Sequence, residues 1–251
     1  MFIEKIMKIA PIIYLIGLLL CILSLFMIIP AFVDWFYGND DWPAFVGASF
    51  ITLFVGSICY LSNKGIITEH LELRQAFLLT NSAWISIALF GSIPFMLSEI
   101  DMSFTDAIFE STSGITTTGA TVINNLDTTS HGILIWRALL QWLGGIGIIV
   151  MALAVLPMLS IGGMQLFKTE SYETPDKVVP KAASFAAGIS MVYISLTTLW
   201  ALMLWIAGMP VFDSIAHAMT TIATGGYSTK SESLAAFGSS SIENIIIFGM
   251  I

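Results

Sequence analysis

The sequence predicts an all-α polytopic membrane protein, and three observations support this fold class. Of its 251 residues, 57% are hydrophobic and only 10% are charged, whereas a soluble domain carries about 25% charged residues. Five stretches are apolar enough to cross the bilayer, which takes about 20 residues as a helix. They are residues 10–29, 42–61, 76–97, 132–159 and 183–207. The third observation is that Lys and Arg collect on one side of this topology.

The two ends of the chain need separate interpretation. The first apolar stretch is longer than the core of a signal peptide and lacks a small-residue cleavage site, so we interpret it as a retained spanning helix. A sixth apolar run begins near Ile242 and reaches the last residue, Ile251, after about ten residues, too few to span. We therefore expect about five full spanning helices and a truncated sixth.

The orientation follows from the basic residues, which accumulate in cytoplasmic loops. With the N-terminus in the cytoplasm, only Arg137 and Lys230 fall on the outer side. The cytoplasmic set is Lys5, Lys8, Lys64, Arg74, Lys168, Lys177 and Lys181. The predicted outer segments carry the acids Asp34, Asp40, Asp41, Glu99, Asp101 and Asp127. The net charge of -8 gives no indication of a nucleic-acid partner.

Two short polar stretches do not fit a full span. Residues 104–115 would form a helix about 18 Å long at ~1.5 Å per residue, which reaches only partway through the hydrocarbon. Residues 211–221 have a similar length and lie on the same side. Each is predicted to be a re-entrant loop that enters from outside, stops midway and returns, which requires surrounding protein or a watery cavity.

The two stretches form an internal repeat. They align without a gap at an offset of 107 residues, from Asp106 to Asp213. The identical pairs are Asp106/Asp213, Ile108/Ile215, Ile115/Ile222, Thr117/Thr224 and Gly119/Gly226. Both copies run as helix, loop and helix in the same direction, which suits rotational symmetry about an axis along the membrane normal. A pore fits on such an axis.

The residue types after each short helix favour binding of a dehydrated cation. Backbone carbonyls can replace the water shell of an ion, glycine permits the backbone conformation that this requires, and hydroxyls add uncharged oxygens. A helix C-terminus supplies partial negative charge. These features recur in Thr116, Thr117, Thr118, Gly119 and Ala120 and again in Thr224, Gly225, Gly226, Tyr227 and Ser228. Oxygen ligands without thiols favour a hard alkali cation, not a transition metal.

The motifs FTDAIFESTSGITTTGAT, IWRALLQWLGGIGIIV and ATGGYST resemble those of the TrkH/TrkG/KtrB superfamily of potassium transporters. The resemblance implies four tandem helix–loop–helix units around one pore, preceded in TrkH-like members by two extra helices. The extra pair would occupy residues 1–70, the first unit 71–165 and the second 166–251, truncated in its last helix. The third and fourth units are absent from this chain, which resembles the N-terminal half of a transporter.

The same resemblance implies the site and its partners. Thr117, Thr118, Gly119 and Ala120, with Thr116 beside them, would line one quadrant of a selectivity filter, and Thr224, Gly225, Gly226 and Tyr227 the next. The expected function is K⁺ uptake across the bacterial inner membrane by a homodimer, with no enzymatic activity and no cofactor in this chain. A cytoplasmic nucleotide-binding subunit of the TrkA/KtrA kind would meet the lysine-bearing residues 162–181.

Several alternatives remain open at this point. A secondary solute transporter with a midplane site would have inverted repeats and intramembrane charges, and a non-conducting scaffold is a third possibility. Glu110 could attract cations or bond to its own loop, and Arg137 could snorkel to the headgroups or brace a loop. Asp106 and Asp213 are predicted to cap short helices. The glycines of 143–147 are predicted to allow close helix packing. Coupling of uptake to Na⁺ or H⁺, as in symport, does not follow from the sequence.

Overall fold

A computed structural model describes residues 9–64, 73–159 and 178–251. Within these ranges the chain forms α-helices and two short 3-10 turns and no strand, which confirms the all-α class. The helices are α1 Ala10–Phe26, α2 Ile28–Tyr37, α3 Trp42–Ser62, α4 Leu73–Gly91, α5 Ile93–Leu97, α6 Phe104–Ile115, α7 His131–Leu159, α8 Val178–Ile206, α9 Val211–Ile222 and α10 Ser240–Gly249. The 3-10 turns are Leu126–Thr128 and Ser233–Phe237.

Five helical stretches in the described part of the chain are long and apolar enough to cross a membrane. They are Ala10–Tyr37, Trp42–Ser62, Arg74–Leu97, His131–Ile149 and Ala187–Ile206. Their number agrees with the prediction. The expected contact region for a regulatory subunit, residues 162–181, lies almost wholly outside the described residues, as do several of the lysines that predicted the orientation.

The first spanning stretch is longer than predicted. The sequence analysis ended it at residue 29, before Pro30, but α2 continues to Tyr37. A proline removes one backbone hydrogen bond and clashes with the carbonyl four residues earlier, which here belongs to Phe26, the last residue of α1. Pro30 therefore breaks the helix at Met27 without ending it. Pro94 likewise follows a break, at Ser92 between α4 and α5, by two residues.

Contacts divide the chain into two compact units, and the first comprises Met1–Thr112 and Thr129–Trp136. In it, α1 packs on α3 through small residues. A side chain at Gly17 would come within 2.5 Å of the Tyr60 backbone nitrogen, and one at Gly56 within 3.0 Å of the Cys21 nitrogen. The Ser49 hydroxyl also donates to the Ser24 carbonyl across this contact, at 2.8 Å. Close approach through glycine is a common means of helix association in membranes.

Asp34 has a structural role in this unit that the sequence analysis did not predict. It was assigned to an outer segment, and it lies in α2 with its side chain fully buried. Its carboxylate accepts a hydrogen bond from the backbone N–H of Gly132, in the first turn of α7. Gly132 has no room for a side chain beside this carboxylate. Asp34 therefore stabilises the start of α7 by pairing an N–H that has no partner within the helix.

The second unit comprises Ser113–Thr128 and Arg137–Ile251. Its apolar core joins α8, α9 and α10 through Trp200, Leu204, Met209, Ala218, Ile242 and Ile246. The Trp200 indole donates to the Ile245 carbonyl at 3.0 Å. The part of α7 in this unit is tied to α8, because Trp142 donates to the Thr197 hydroxyl and Tyr193 donates to the Trp142 carbonyl, both at 3.0 Å. This core supports the loops that follow the short helices.

Candidate ion-binding loops

The two short helices end in loops that repeat at the predicted offset. Helix α6 spans Phe104–Ile115 and α9 spans Val211–Ile222, 12 residues each, so both bounds are shifted by the same 107 residues as the sequence repeat. We call residues 116–120 the first loop and residues 223–227 the second loop. All residues of both loops belong to the second compact unit.

Both helices end with the same pair of backbone hydrogen bonds. In each copy, the N–H of the second residue after the helix bonds to a carbonyl three residues back, and the next N–H bonds to a carbonyl five residues back. The bonds are Thr117 to Gly114, Thr118 to Ser113, Thr224 to Thr221 and Gly225 to Thr220, with lengths of 2.9, 2.9, 2.9 and 2.8 Å. This is the Schellman arrangement, which satisfies carbonyls at a helix C-terminus.

The left-handed position of this arrangement carries threonine in both copies, where glycine is usual. Thr117 has φ 56° and Thr224 has φ 52°. A left-handed conformation costs a non-glycine residue roughly 1–2 kcal/mol, and a β-branched residue there is rare. Two residues later, Gly119 and Gly226 have φ 79° and 77°. Repeated strain of this kind is typical of functional sites.

The two loops contact each other. A side chain at Gly119 would collide with the main-chain carbonyl of Gly225, so the loops meet through glycine backbone. The Tyr227 hydroxyl of the second loop donates to the Ala120 carbonyl of the first at 3.3 Å. The same carbonyl accepts a hydrogen bond from the Ser113 hydroxyl at 2.6 Å. The carbonyls of Gly225 and Ala120 thus both take part in the contact between the two loops.

The predicted site residues differ in exposure. Thr116, Thr118, Ala120, Thr224 and Gly226 are exposed, Thr117 and Gly119 are half-buried, and Gly225 and Tyr227 are buried. The hydroxyl oxygens of Thr116 and Thr118 lie 2.8 Å apart. The Ala120 carbonyl oxygen already accepts two hydrogen bonds, which makes it a weaker candidate as an ion ligand than its neighbours. The aromatic side chain of Tyr227 is packed inside the protein.

A chain of hydrogen bonds braces the second loop from its own helix. The Lys230 N–H donates to the Ser228 hydroxyl at 3.0 Å, and this hydroxyl lies 3.1 Å from Nε2 of His217. Nδ1 of His217 lies 2.8 Å from the Asp213 carbonyl. These neighbours fit a neutral ring in which Nδ1–H donates to the carbonyl and Nε2 accepts from Ser228. The scaffolding role predicted for His217 agrees with these contacts.

The predicted capping roles of the two aspartates need correction. In the first copy the Ser103 hydroxyl accepts from the Asp106 N–H at 3.2 Å and donates to the Asp106 carboxylate at 2.7 Å, so Ser103 is the cap. In the second copy Asp213 makes no capping hydrogen bond. Its carboxylate accepts from the Thr229 hydroxyl at 2.6 Å instead. The predictions failed because each carboxylate accepts from a hydroxyl instead, that of Ser103 for Asp106 and that of Thr229 for Asp213.

The structure resolves the role of Arg137 in favour of bracing. Its side chain is 1% exposed, so the guanidinium does not extend to the membrane surface. It donates to the Ser228 carbonyl at 2.9 Å. Its central carbon lies 4.1 Å from the centre of the Tyr227 ring, a cation–π distance. Arg137 therefore fixes the end of the second loop.

The glycines of the QWLGG motif allow α7 to approach both loops. A side chain at Gly144 would overlap the Ile115 carbonyl, at the end of α6, and one at Gly145 would come within 3.1 Å of Ala223, at the end of α9. Gly147 has open space around it. The predicted packing role is confirmed for the first two glycines. Gln141 of the same motif was missed as a site residue, although its amide contacts the second loop.

A polar cluster joins the segments that follow the two loops. Lys230 Nζ lies 3.6 Å from a carboxylate oxygen of Asp127. The backbone N–H of Ser231 donates to Asp127 at 3.3 Å, and the Ser231 hydroxyl accepts from the Leu126 N–H at 3.0 Å. The hydrogen bonds from Ser231, followed by the charge of Lys230, hold the pKa of Asp127 below its ordinary value. This cluster is the second connection between the two copies.

Comparisons with known proteins show which family has these features. The Trk system potassium uptake protein TrkH of Salmonella typhimurium (strain LT2) is 43% identical over 235 residues, 92% of this chain and 48% of that protein. The protein of the same name from Vibrio parahaemolyticus serotype O3:K6 is 42% identical over 244 residues, 96% of this chain and 50% of that protein. The chain therefore spans about half the length of the curated relatives it matches.

A solved structure has the same fold. The crystal structure of the potassium transporter TrkH from Vibrio parahaemolyticus matches with a TM-score of 0.87 and 40% identity, over 97% of this chain and 49% of that one. The family profile described as "TrkH: Cation transport protein" matches residues 42–251. The repeated helix–loop arrangement and these similarities lead to one conclusion. The chain belongs to the TrkH family of cation transport proteins.

Proposed function

We propose that this chain supplies two quadrants of the K⁺ pathway in the pore-forming subunit of a Trk-type uptake system. The observation that carries the proposal is the pair of loops with equivalent backbone, which meet where Gly119 contacts Gly225. The relatives named above are potassium uptake proteins. Thr117, Gly119, Thr224 and Gly226 are the leading candidates to place oxygens around a dehydrated ion.

In this proposal α6 and α9 enter the membrane from its outer face and the loops return to that face as a selectivity filter. Each helix has 12 residues, a length of about 18 Å that stops within the hydrocarbon. Their C-terminal ends then lie near the membrane midplane, where the partial negative charge of a helix C-terminus attracts a cation. Selectivity depends on main-chain dipoles and geometry, because neither loop contains an acidic or basic residue.

The membrane potential supplies the driving force for uptake. Moving one elementary charge across the membrane yields about 2.3 kcal/mol per 100 mV. An inward K⁺ flux therefore requires no ATP site in this chain. We place the protein in the bacterial inner membrane with its N-terminus in the cytoplasm, as a homodimer regulated by a TrkA/KtrA-like nucleotide-binding subunit. Symport with Na⁺ or H⁺ is compatible with this arrangement and is a separate question for flux measurements.

Complementation tests the proposal. The intact gene product is expressed in a bacterial strain without K⁺ uptake systems, and growth at low K⁺ and Rb⁺ uptake are measured. Restored growth and an Rb⁺ uptake that Na⁺ inhibits weakly support a K⁺ pathway. If the protein reaches the membrane but neither growth nor Rb⁺ uptake returns, the proposal fails. A solute carrier or a scaffold then becomes the better interpretation.

A further inference from the structure

Gln141 is a fully buried amide on α7, beside the point where the two loops meet. Its Oε1 atom accepts a hydrogen bond from the Tyr227 backbone N–H at 3.1 Å. Its side chain also fills the space beside Gly225, where a Cβ atom would overlap the amide group. A Cβ atom on Gly119 would lie 3.7 Å from Nε2 of the same amide. One side chain of α7 thus contacts the second loop and lies close to the first.

The hydrogen bond to Gln141 is one of several contacts that fix Tyr227. The backbone N–H of Tyr227 is bonded to Gln141. The hydroxyl of Tyr227 donates to the Ala120 carbonyl of the first loop, and the Arg137 guanidinium covers its ring. Without Gln141, the main chain of the second loop would lose its hydrogen bond to α7, although the ring of Tyr227 would keep its other contacts.

The Nε2 atom of Gln141 is the unusual part of this arrangement. It is buried, and it makes no hydrogen bond to any of the described residues. A buried amide donor without a partner is unfavourable, and a leucine of similar size would avoid it. An unpartnered donor beside two glycine loops is a reason to look for a role of Gln141 in the site and not in general packing.

We propose that Gln141 is a positioning residue that sets the separation of the two loops and thereby the selectivity for K⁺. Its Oε1 anchors the second loop, and the rest of the amide lies against Gly225, beside the contact between Gly119 and Gly225. The inference rests on the proposed K⁺ pathway. Discrimination between two alkali ions depends on the positions and number of the coordinating oxygens. A small displacement of one loop therefore alters selectivity before it abolishes flux.

Two substitutions test whether the accepting oxygen of the Gln141 amide is the atom that positions the loop. Gln141→Leu keeps a similar volume and removes both polar atoms. Gln141→Glu keeps an oxygen that can accept from the Tyr227 N–H. The matched control is Thr197→Val, which removes a buried hydroxyl that bonds to Trp142, the neighbour of Gln141 on α7. The control tests the loss of a buried hydrogen bond between α7 and α8 that does not involve the loops.

The first readout is the ratio of Rb⁺ to Na⁺ uptake by the intact protein, with the amount of protein in the membrane matched. We expect Gln141→Leu to lower this ratio about fivefold, because one hydrogen bond of ordinary strength is lost. Gln141→Glu should retain more selectivity than Gln141→Leu, and Thr197→Val should leave the ratio unchanged. An unchanged ratio in Gln141→Leu overturns the inference, as does an equal fall in Thr197→Val.

The second readout does not depend on transport. Hydrogen–deuterium exchange in the purified protein reports the protection of amides in residues 224–229. Exchange should accelerate in Gln141→Leu and stay near the wild-type rate in Gln141→Glu and Thr197→Val. If the wild-type protein does not take up Rb⁺, the K⁺ pathway fails and this measurement alone decides the positioning role. Equal exchange in all four proteins then refutes it.

Discussion

Gly119→Ser is the substitution for which the structure predicts the largest local effect in the loops. Gly119 has φ 79°, a value that a residue with a side chain adopts at a cost of about 1–2 kcal/mol. Its Cβ would also collide with the Gly225 carbonyl, so the second loop has to move. If the coordinating oxygens move to relieve this strain, the preference for Rb⁺ over Na⁺ should fall by a factor of about 5–30, which corresponds to the same 1–2 kcal/mol.

Gly226→Ser is the matched comparison. Gly226 has φ 77°, so the conformational strain is similar, but a Cβ atom there has open space around it. The assay is Rb⁺ uptake against increasing Na⁺ in the strain without K⁺ uptake systems, at matched protein amounts. We expect a greater loss of selectivity for Gly119→Ser than for Gly226→Ser. Wild-type selectivity in Gly119→Ser would refute the reasoning, and equal losses would show that the contact with Gly225 is not the cause.

Three further predictions concern strain, burial and pH. Thr117→Gly should raise the free energy of unfolding by about 1 kcal/mol, because glycine relieves the left-handed strain, and lower K⁺ selectivity, because a hydroxyl is lost. Asp34→Ala should lower the free energy of unfolding by about 1–3 kcal/mol, because the buried N–H of Gly132 loses its acceptor. Asp127 should stabilise the fold above the pKa of an unfolded aspartate, about 4, and lose this effect as pH falls through its lower folded pKa.

Thermal unfolding of the purified protein measures all three effects on stability, and Rb⁺ uptake against increasing Na⁺ measures the selectivity of Thr117→Gly. Thr117→Gly fails as a prediction if stability falls or if selectivity is retained. For Asp34→Ala, a melting temperature equal to that of the wild type would show that Gly132 finds another partner. For Asp127, the comparison is Asp127→Asn, whose melting temperature should vary less between pH 5 and pH 3. If the melting temperatures of the two proteins change equally between pH 5 and pH 3, Asp127 contributes nothing to stability in that range.

The local features of the loops could be predicted from the sequence. The alignment of Asp106 with Asp213 gave the offset that relates the bounds of α6 and α9. It also pairs Gly119 with Gly226, which share a positive φ. These features depend on interactions between residues that are close in the chain, and such interactions leave a pattern in a single sequence.

The features that depend on distant contacts could not be predicted. Gln141 meets a residue 86 positions away, and Asp34 meets one 98 positions away. A lone glutamine in an apolar helix indicates that a partner is needed but not which one. Arg137 left two roles open for the same reason, because its partner Ser228 lies 91 positions away. The extension of α2 beyond Pro30 was missed because a proline can either bend a helix or end it.

The most direct test of the central claim is to locate an ion bound to the intact protein. Crystals grown with Rb⁺ in place of K⁺ would reveal the ion by its anomalous scattering. The account predicts a peak beside the two loops, with main-chain oxygens of residues 116–120 and 223–227 as its nearest neighbours. Rb⁺ bound only at sites away from both loops would contradict it.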